Sequence, residues 1–323
     1  MCKPRFAAAS PVLFLVVASG ITALGLHDQC VRQATAGSPV AASPATNDGK
    51  LRIVVFGAHP DDAEIRAAGV GTMWAAAGHH VQLVSVTNGD IGHFAMAGGA
   101  LAQRRTAEVK KASEILGTTS LVLDIHDGEL EPTLENRRLL TRVIRRWKAD
   151  IVIGHRPNDY HPDHRYVGML MQDCAFMVGV PFFCPDVPAL AKNPVFLYSQ
   201  DGFQRPNPFR ADVVVAIDSV IQKKVAALVT LESQFVEGGA LGKPNPALDD
   251  PVQREKKRQA VRESFRKRFA ATANQYRDKL IEFYGAEAGK KVQYAEAFEI
   301  CEYGRRPEMA ELRQLFPFFP EKK

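Results

Sequence analysis

Apolar residues follow two alternating patterns between residues 51 and 153. Short runs rich in Val, Ile and Leu indicate buried strands, and the longer segments between them carry the three-to-four-residue spacing of helices. The predicted elements, in chain order, are a strand at 51–56, a helix at 63–77, a strand at 81–86, a helix at 101–116, a strand at 121–125, a helix at 134–147 and a strand at 151–153. Such an alternation predicts parallel strands joined by right-handed crossovers. We therefore expect an α/β protein with a Rossmann-like, mostly parallel sheet flanked by helices.

The second half of the chain is less regular, and it shows no internal repeat. Its predicted elements are strands at 195–197 and 213–217, a helix at 219–235, a Gly/Pro/Asn-rich loop at 238–251, a long charged helix to about Tyr284, and a Pro- and Phe-containing tail at 304–323.

The N-terminus is typical of a targeting segment. Lys3 and Arg5 precede an apolar run at 12–26, which is shorter than the ~20 residues of a membrane-spanning helix, and Ala34-Thr35-Ala36 offers a cleavage site. The predicted organisation is a signal peptide at 1–36, a linker at 37–50, a catalytic domain at 51–303 and the tail at 304–323. We expect an exported protein, periplasmic or secreted, with no stable membrane span once the signal is removed. An uncleaved segment that anchors the protein is the alternative.

The composition indicates a folded globular protein, and the net charge excludes few functions. Hydrophobic residues make up 46% of the 323 residues and charged residues 24%, which is typical of a folded globular protein. The net charge of +5 does not indicate a nucleic-acid partner. The basic stretch at 254–268 contains Glu255 and Glu263, so we interpret it as a solvated helix face, with contact to an anionic envelope surface as the alternative. The oligomeric state and a Cys174–Cys184 disulfide stay open, and no CxxC pair suggests a cysteine metal site.

Polar residues collect where the first four predicted strands end. Six of the nine histidines lie in these loops: His59, His93, His126, His155, His161 and His164. In an open parallel sheet, ligands bind beyond the carboxyl ends of the strands, so we expect these loops to form the site. The first strand continues into Gly57-Ala58-His59-Pro60 and not into GxGxxG, which argues against a nucleotide-binding Rossmann protein.

The first and fourth loops share a His-Pro-Asp motif, followed by a second potential ligand three residues after the His. Proline is tolerated in a first helical turn, so both motifs are predicted to open helices. His59, Asp62 and His164 then supply two imidazoles and a carboxylate, a typical shell for catalytic zinc; iron, cobalt or manganese are the alternatives. Asp61 is positioned to take a proton from the attacking water, and His161 to stabilise an oxyanion or protonate a leaving amine. Either motif taken alone could simply be a helix cap.

These motifs resemble those of a known family. Gly57 to Asp62 resembles the AHPDD signature of the LmbE-like (PIG-L) deacetylases, and His155 to Arg165 resembles the second signature of that family. Weaker similarities occur at 104–108, 126–128 and 294–298, so the resemblance covers residues 51–303.

The resemblance implies a role for each matching residue. It implies zinc ligands at His59, Asp62 and His164, and a general base at Asp61. By the same resemblance, His161 stabilises the tetrahedral intermediate, Asp163 supports His161, and Arg104 or Arg105 contacts the substrate. The alternative for the two arginines is a solvated helix face.

Two positions depart from the family pattern. Ala63 stands where many members have Glu, with Glu64 next, and Arg66 stands where a small residue or Gly is common. Neither change replaces a predicted ligand. We therefore expect the two changes to affect the choice of substrate more than the chemistry.

For further polar residues in the loops, the sequence leaves two alternative roles open. Asp159 orients His161 or His164, or else forms a turn. His93 and Asp90 line the pocket or form a polar loop tip. For His126 and Asp127 we favour a simple Asp-Gly turn over a role in the site.

The predicted function is metal-dependent removal of an N-acyl group from an amino sugar or glycoconjugate, with a small-molecule or glycan amide as the substrate. The alternatives are an amidase of the same fold that acts on a non-sugar amide, and a non-catalytic, metal-containing sugar-binding module.

Overall fold

The computed structural model describes residues 48–320. The predicted signal peptide and most of the predicted linker lie outside the described residues. Within residues 48–320, no helix combines the length and the apolar character that crossing a bilayer requires.

One seven-stranded sheet forms the centre of the described chain. The strands are β1 (Arg52–Gly57), β2 (His80–Ser85), β3 (Thr119–Val122), β4 (Ile151–Gly154), β5 (Val195–Ser199), β6 (Val213–Ala216) and β7 (Ala295–Gly304). Their order is β3-β2-β1-β4-β5-β7-β6. The first five strands pair in parallel, and β7 pairs antiparallel with both β5 and β6. The predicted mostly parallel α/β sheet is thus confirmed.

The helices cover both faces of the sheet. They are α1 (Asp62–Ala76), α2 (Gly99–Leu116), α3 (Leu134–Trp147), α4 (Pro162–Met177), α5 (Ile221–Val229), α6 (Glu232–Phe235), α7 (Pro251–Gln275), α8 (Arg277–Tyr284), α9 (Ala286–Lys291) and α10 (Met309–Leu315). Successive β1 residues point to opposite faces: Ile53 and Val55 join the core formed with α1, α2, α5 and α7, and Val54 and Phe56 join the core formed with α3 and α4. This explains why β1 is apolar at every position from Ile53 to Phe56.

The topology determines where a ligand can bind. The chain runs from β1 outward to β2 and β3 on one side, and it then returns past β1 to β4 on the other side. The crevice beyond the carboxyl ends of β1 and β4 is therefore the switch point of the sheet, where α/β proteins bind ligands.

Three predicted boundaries were wrong. The third strand begins at Thr119, two residues before the predicted start, because this edge strand is polar at its beginning. The helix predicted at 219–235 is interrupted after Val229, where Thr230 and Leu231 hydrogen-bond three residues back and form a tight turn. The long charged helix ends at Gln275, and α8 begins after Tyr276.

The segment predicted as a tail belongs to the folded domain. Residues 309–315 form α10, and Phe316 is completely buried in the core of the α1 face. The indole Nε1 of Trp74 donates a 2.8 Å hydrogen bond to the Leu315 carbonyl. Contacts so distant in sequence leave no local pattern, which is why the sequence indicated only a tail.

The cysteines of the described chain are free thiols. Cys174, Cys184 and Cys301 are all buried, and no disulfide joins the first two. The Cys174 thiol lies 3.3 Å from the Thr141 hydroxyl, and the Cys184 thiol contacts the Arg138 carbonyl.

Candidate metal centre

The loop after β1 brings the first motif to the switch point. The His59 backbone carbonyl accepts hydrogen bonds from the backbone N–H groups of Asp61 and Asp62 at 2.8 and 3.2 Å, and α1 begins at Asp62. The prediction that Pro60 lies within the first turn of the helix was wrong, because the helix begins two residues later. A Cβ at Gly57 would lie 2.6 Å from the Asp62 Cβ, so only glycine lets the strand end this close to the start of α1.

The loop after β4 brings the second motif to the same place. His161 is the N-cap of α4, with Pro162 in the first turn, as the sequence predicted. The His161 Nδ1 accepts a 3.2 Å hydrogen bond from the Asp163 backbone N–H. In a neutral ring the proton is therefore on Nε2, which makes Nε2 a hydrogen-bond donor.

Three side-chain atoms from the two motifs converge on one point. The His59 Nδ1 lies 3.2 Å from the His164 Nε2 and 3.4 Å from the Asp62 Oδ2, and the distance from His164 Nε2 to Asp62 Oδ2 is 3.3 Å. Ligands at zinc distances in a tetrahedral shell are separated by about 3.3 Å. The donor set and its spacing therefore fit a zinc ion.

Carboxylates behind the two imidazoles orient their lone pairs toward this point. The His59 Nε2 lies 3.0 Å from Asp127 Oδ1 and 3.1 Å from Asp163 Oδ2. The His164 Nδ1 lies 3.1 Å from Asp159 Oδ1. Each imidazole then gives its N–H to a carboxylate and keeps its other nitrogen free to bind a metal, the usual arrangement behind metal-binding histidines.

The electrostatics of the cluster favour a cation. Burial alone would lower the pKa of His164, but the Asp62 and Asp159 carboxylates outweigh it and raise that pKa to about 9. Burial also opposes the charge on His59, yet Asp127, Asp163 and Asp62 raise its pKa well above the usual value. Burial would raise the pKa of Asp62, but His164 and His155 hold it well below its usual range. Positive charge is therefore stabilised here, whether protons or a metal ion supply it.

Asp61 and His161 lie beside the cluster and line the same cavity. Burial and the neighbouring Asp62 carboxylate raise the pKa of Asp61, and the Arg105 guanidinium, 3.9 Å away, lowers it. Burial, His59 and His164 lower the pKa of His161. The site thus pairs a carboxylate with raised proton affinity and a neutral imidazole that can donate a hydrogen bond.

Asp163 and Asp127 lie where the sequence did not place them. The Asp163 carboxylate contacts His59 and accepts a 2.8 Å hydrogen bond from the Gly128 N–H, although the resemblance implied support of His161. Asp127 is buried against His59, so the preference for a simple turn at this residue was wrong. Its position after the third strand was the signal, since that strand ends at the same edge of the sheet.

The two candidate arginines on α2 have different surroundings. The Arg105 guanidinium is buried and donates to the carbonyls of Pro60 and Gly89 and to Gln234. Arg105 lines the cavity, whereas Arg104 binds Glu237 and Glu108 beside it.

Asp90 and His93 lie near the cavity but do not line it. The His93 Nε2 lies 3.1 Å from Glu237 Oε2. Asp90 accepts hydrogen bonds from His126 Nδ1 at 2.5 Å and from the Asp127 backbone N–H at 3.1 Å. Asp90 therefore holds the loop that carries Asp127.

Sequence reasoning gave no role to His155, which directly follows β4. Its ring is buried and stacks on His164 with a 4.2 Å centroid separation. Its Nε2 accepts a 3.2 Å hydrogen bond from the Ala58 N–H and lies 3.5 Å from Asp62 Oδ2. Burial lowers the pKa of His155 to about 4, so this ring is neutral and supports the cluster.

The cluster forms the floor of an open cavity of about 690 Å³. Its walls include Ile91, Tyr160, Ala240 and Leu241, which lie in loops whose shape the sequence pattern does not predict. Arg66 and Arg268 also contribute to the walls. The fold and the cluster together define a class: α/β proteins with a two-histidine, one-carboxylate site at the carboxyl edge of a parallel sheet.

Comparison with known proteins identifies the family within this class. Residues 54–175 match the PIG-L family, described as GlcNAc-PI de-N-acetylase. A diacetylchitobiose deacetylase from Thermococcus kodakarensis is 32% identical over 199 residues, covering 59% of this chain and 72% of that protein. The chain belongs to the PIG-L family, and the resemblance noted in the sequence is confirmed.

Two further proteins are similar to this chain, one in sequence and one in structure. A 4-oxalmesaconate hydratase from Pseudomonas putida is 26% identical over 189 residues, covering 56% of this chain and 73% of that protein. The structure of N,N'-diacetylchitobiose deacetylase from Pyrococcus horikoshii matches with a TM-score of 0.58 and 22% identity, covering 77% of this chain and 83% of that chain. This second match confirms the predicted fold.

Proposed function

We propose that this protein is a metal-dependent N-deacetylase that hydrolyses the acetamide of an amino sugar. The observation that carries the proposal is the triangle formed by His59 Nδ1, Asp62 Oδ2 and His164 Nε2, with sides of 3.2 to 3.4 Å. A divalent cation, with zinc the best fit, would polarise the substrate carbonyl and make water more acidic there. Membership of the PIG-L family supports amide hydrolysis.

The surrounding residues supply the proton transfers. Asp61 accepts a proton from the attacking water, and its raised pKa suits this role. The His161 Nε2–H donates a hydrogen bond to the oxygen that becomes negative in the tetrahedral intermediate. Asp61 or His161 then protonates the leaving nitrogen, and the products are a free amine and acetate. Asp127, Asp163 and Asp159 hold the two imidazoles in the required tautomers.

Asp61→Asn tests the assignment of the base. The amide cannot accept the proton, so we expect turnover to fall by about 10²–10⁴-fold while bound metal stays unchanged. Metal content by elemental analysis and free-amine release from N-acetylated mono- and disaccharides measure the two effects. Asp124→Asn, an exposed aspartate outside the cavity, is the matched control and keeps full activity. Full activity in Asp61→Asn contradicts the assignment.

A second candidate is hydration of an unsaturated carboxylate. Two observations favour it: the relative from Pseudomonas putida is a hydratase, and three arginines line the cavity, Arg66, Arg105 and Arg268. The assay is loss of the conjugated double-bond absorbance of an unsaturated dicarboxylate. Water addition without amine release from any acetamide, sugar or non-sugar, selects the hydratase. Sugar binding without either reaction selects a binding module.

A further inference from the structure

Two arginines line both of two adjoining cavities. Arg66 lies on α1 and Arg268 on α7. Both line the cavity above the cluster of His59, Asp62 and His164. Both also line an adjoining cleft of about 450 Å³, together with Gln200, Thr272 and Tyr276. A substrate whose amide lies at the cluster can therefore reach both guanidinium groups.

Neither guanidinium group has a carboxylate partner within residues 48–320. Arg66 donates through Nη1 to the Gln200 carbonyl, and its Nε is buried without a hydrogen-bond partner. The Arg268 guanidinium makes no hydrogen bond or ion pair with any described residue. The nearby Glu296 carboxylate is already bound by Lys224 and by the backbone N–H groups of Gly69 and Val70.

The other arginines of the same helix are neutralised by the chain itself. Arg254 and Arg258 bind Glu232, Arg262 binds Glu255, and Arg266 binds Glu263. These pairs agree with the solvated helix face expected from the sequence. Arg268 is the exception within the described part of α7, and it is the arginine that reaches the cavity.

The unpaired charges act on each other. Arg268 as a whole residue is exposed to solvent, but desolvation of its guanidinium and the nearby Arg66 lower its pKa to about 10, while Asp62 and Asp61 oppose that effect. The charges of both arginines also lower the pKa of the buried Lys224. A bound anion would offset this repulsion and use the free donors.

We propose that Arg66 and Arg268 form an anion subsite in the substrate cavity, so that the natural substrate is an N-acyl compound that also carries a carboxylate or phosphate group. The inference rests on the proposed deacetylase function and specifies its substrate class. The planar guanidinium group suits both anions because it can donate two parallel hydrogen bonds. Arg66 also occupies a position where the family resemblance leads us to expect a small residue, so the subsite is a feature of this chain.

The first test compares substrates that differ only in charge. The metal-loaded full chain is assayed on a neutral N-acetylated amino sugar and on derivatives of that sugar carrying a carboxylate or a phosphate. We expect Arg66→Ala and Arg268→Ala to lower kcat/KM for the charged substrates by a factor at least about tenfold greater than for the neutral sugar. Arg262→Ala, at an arginine of the same helix that is paired with Glu255 and lines neither cavity, is the control. Equal losses on neutral and charged sugars overturn the subsite, and the separate carboxylate and phosphate arms identify the preferred anion.

The second test measures anion binding without turnover. Inorganic phosphate is titrated into the metal-loaded full chain by calorimetry, and into Arg66→Ala, Arg66→Lys and Arg268→Ala. We expect both alanine variants to weaken binding about tenfold, and the lysine variant to recover part of the loss. Phosphate bound only at the metal would be insensitive to these changes and would overturn the subsite. Phosphate binding that depends on the arginines, without any deacetylation, supports the subsite and refutes the proposed function. Deacetylation without arginine-dependent phosphate binding supports the proposed function and refutes the subsite.

Discussion

At the scale of single residues, the site depends on which nitrogen of each imidazole carries the proton. Asp127 and Asp163 hold the N–H of His59, and Asp159 holds that of His164, so both free nitrogens face Asp62. The convergence of His59, Asp62 and His164 could be predicted because the two His-Pro-Asp motifs follow strands of one sheet. The supporting carboxylates could not be assigned in the same way, because the spacing of the second motif does not show that Asp163 turns to His59.

Arg105 is expected to set the proton affinity of Asp61. Its guanidinium lowers the pKa of that carboxyl, so Arg105→Met should raise the pKa further. Since the base works only when deprotonated, the acid limb of the pH–rate profile should move to higher pH, and the loss of activity should be larger in acid than in alkaline buffer. Arg104→Met, which removes a cation that binds Glu237 beside the cavity, is the control. An unmoved acid limb in Arg105→Met, in protein with unchanged thermal stability, would show that Arg105 does not act on Asp61.

At the scale of elements, a buried ion pair holds α1 against the sheet. The Lys224 ammonium of α5 binds the Glu296 carboxylate of β7 and donates a 2.7 Å hydrogen bond to the Ile65 carbonyl of α1. Glu296 accepts 2.8 Å hydrogen bonds from the N–H groups of Gly69 and Val70. A Cβ at Gly69 would lie 2.6 Å from the Glu296 Oε1, so the approach requires glycine. The helix that carries Asp62 is thereby connected to the last strand.

Removing one member of this pair should be costly. Lys224→Met leaves the Glu296 charge buried without its partner, and we expect the free energy of unfolding to fall by about 3–5 kcal/mol. Urea denaturation followed by circular dichroism measures the change. Lys223→Met, the exposed neighbour on the same helix, should change it by less than about 0.5 kcal/mol. Equal stabilities of the two variants would contradict the role given to the pair.

The boundaries of an element could be predicted where its burial requires a regular pattern of apolar residues. β1, β2 and β4 are almost entirely buried and lie close to their predicted bounds. The edge strand β3 is partly exposed, so its first residues carry no apolar signal. The break after α5 was invisible because Leu231 continues the apolar pattern and is completely buried. Periodicity therefore identified the parallel half of the sheet better than the segments packed around it.

At the scale of the whole molecule, the C-terminal residues complete the core of the α1 face. Phe316 is completely buried, and its ring centroid lies 5.0 Å from that of Trp74. We expect Phe316→Ala to lower the free energy of unfolding by about 3–5 kcal/mol, because it removes a large ring from a packed core. Thermal and urea unfolding measure the loss. Phe182→Ala removes a ring that is 94% exposed and should leave stability nearly unchanged. A negligible effect at Phe316 would mean that the segment contributes little to the core.

The position of β7 has a consequence for biosynthesis. β6 meets the rest of the sheet through β7, which is the last strand within residues 48–320. A ribosome that has made residues up to 294 has therefore released β6 without its neighbour, and the Glu296 that holds α1 does not yet exist. We expect a released chain truncated after residue 294 to be cleaved readily by protease, and the 323-residue chain to be protected. Formation of the whole sheet thus requires synthesis of β7, and a stop before Ala295 leaves exposed strand edges for cellular quality control to recognise.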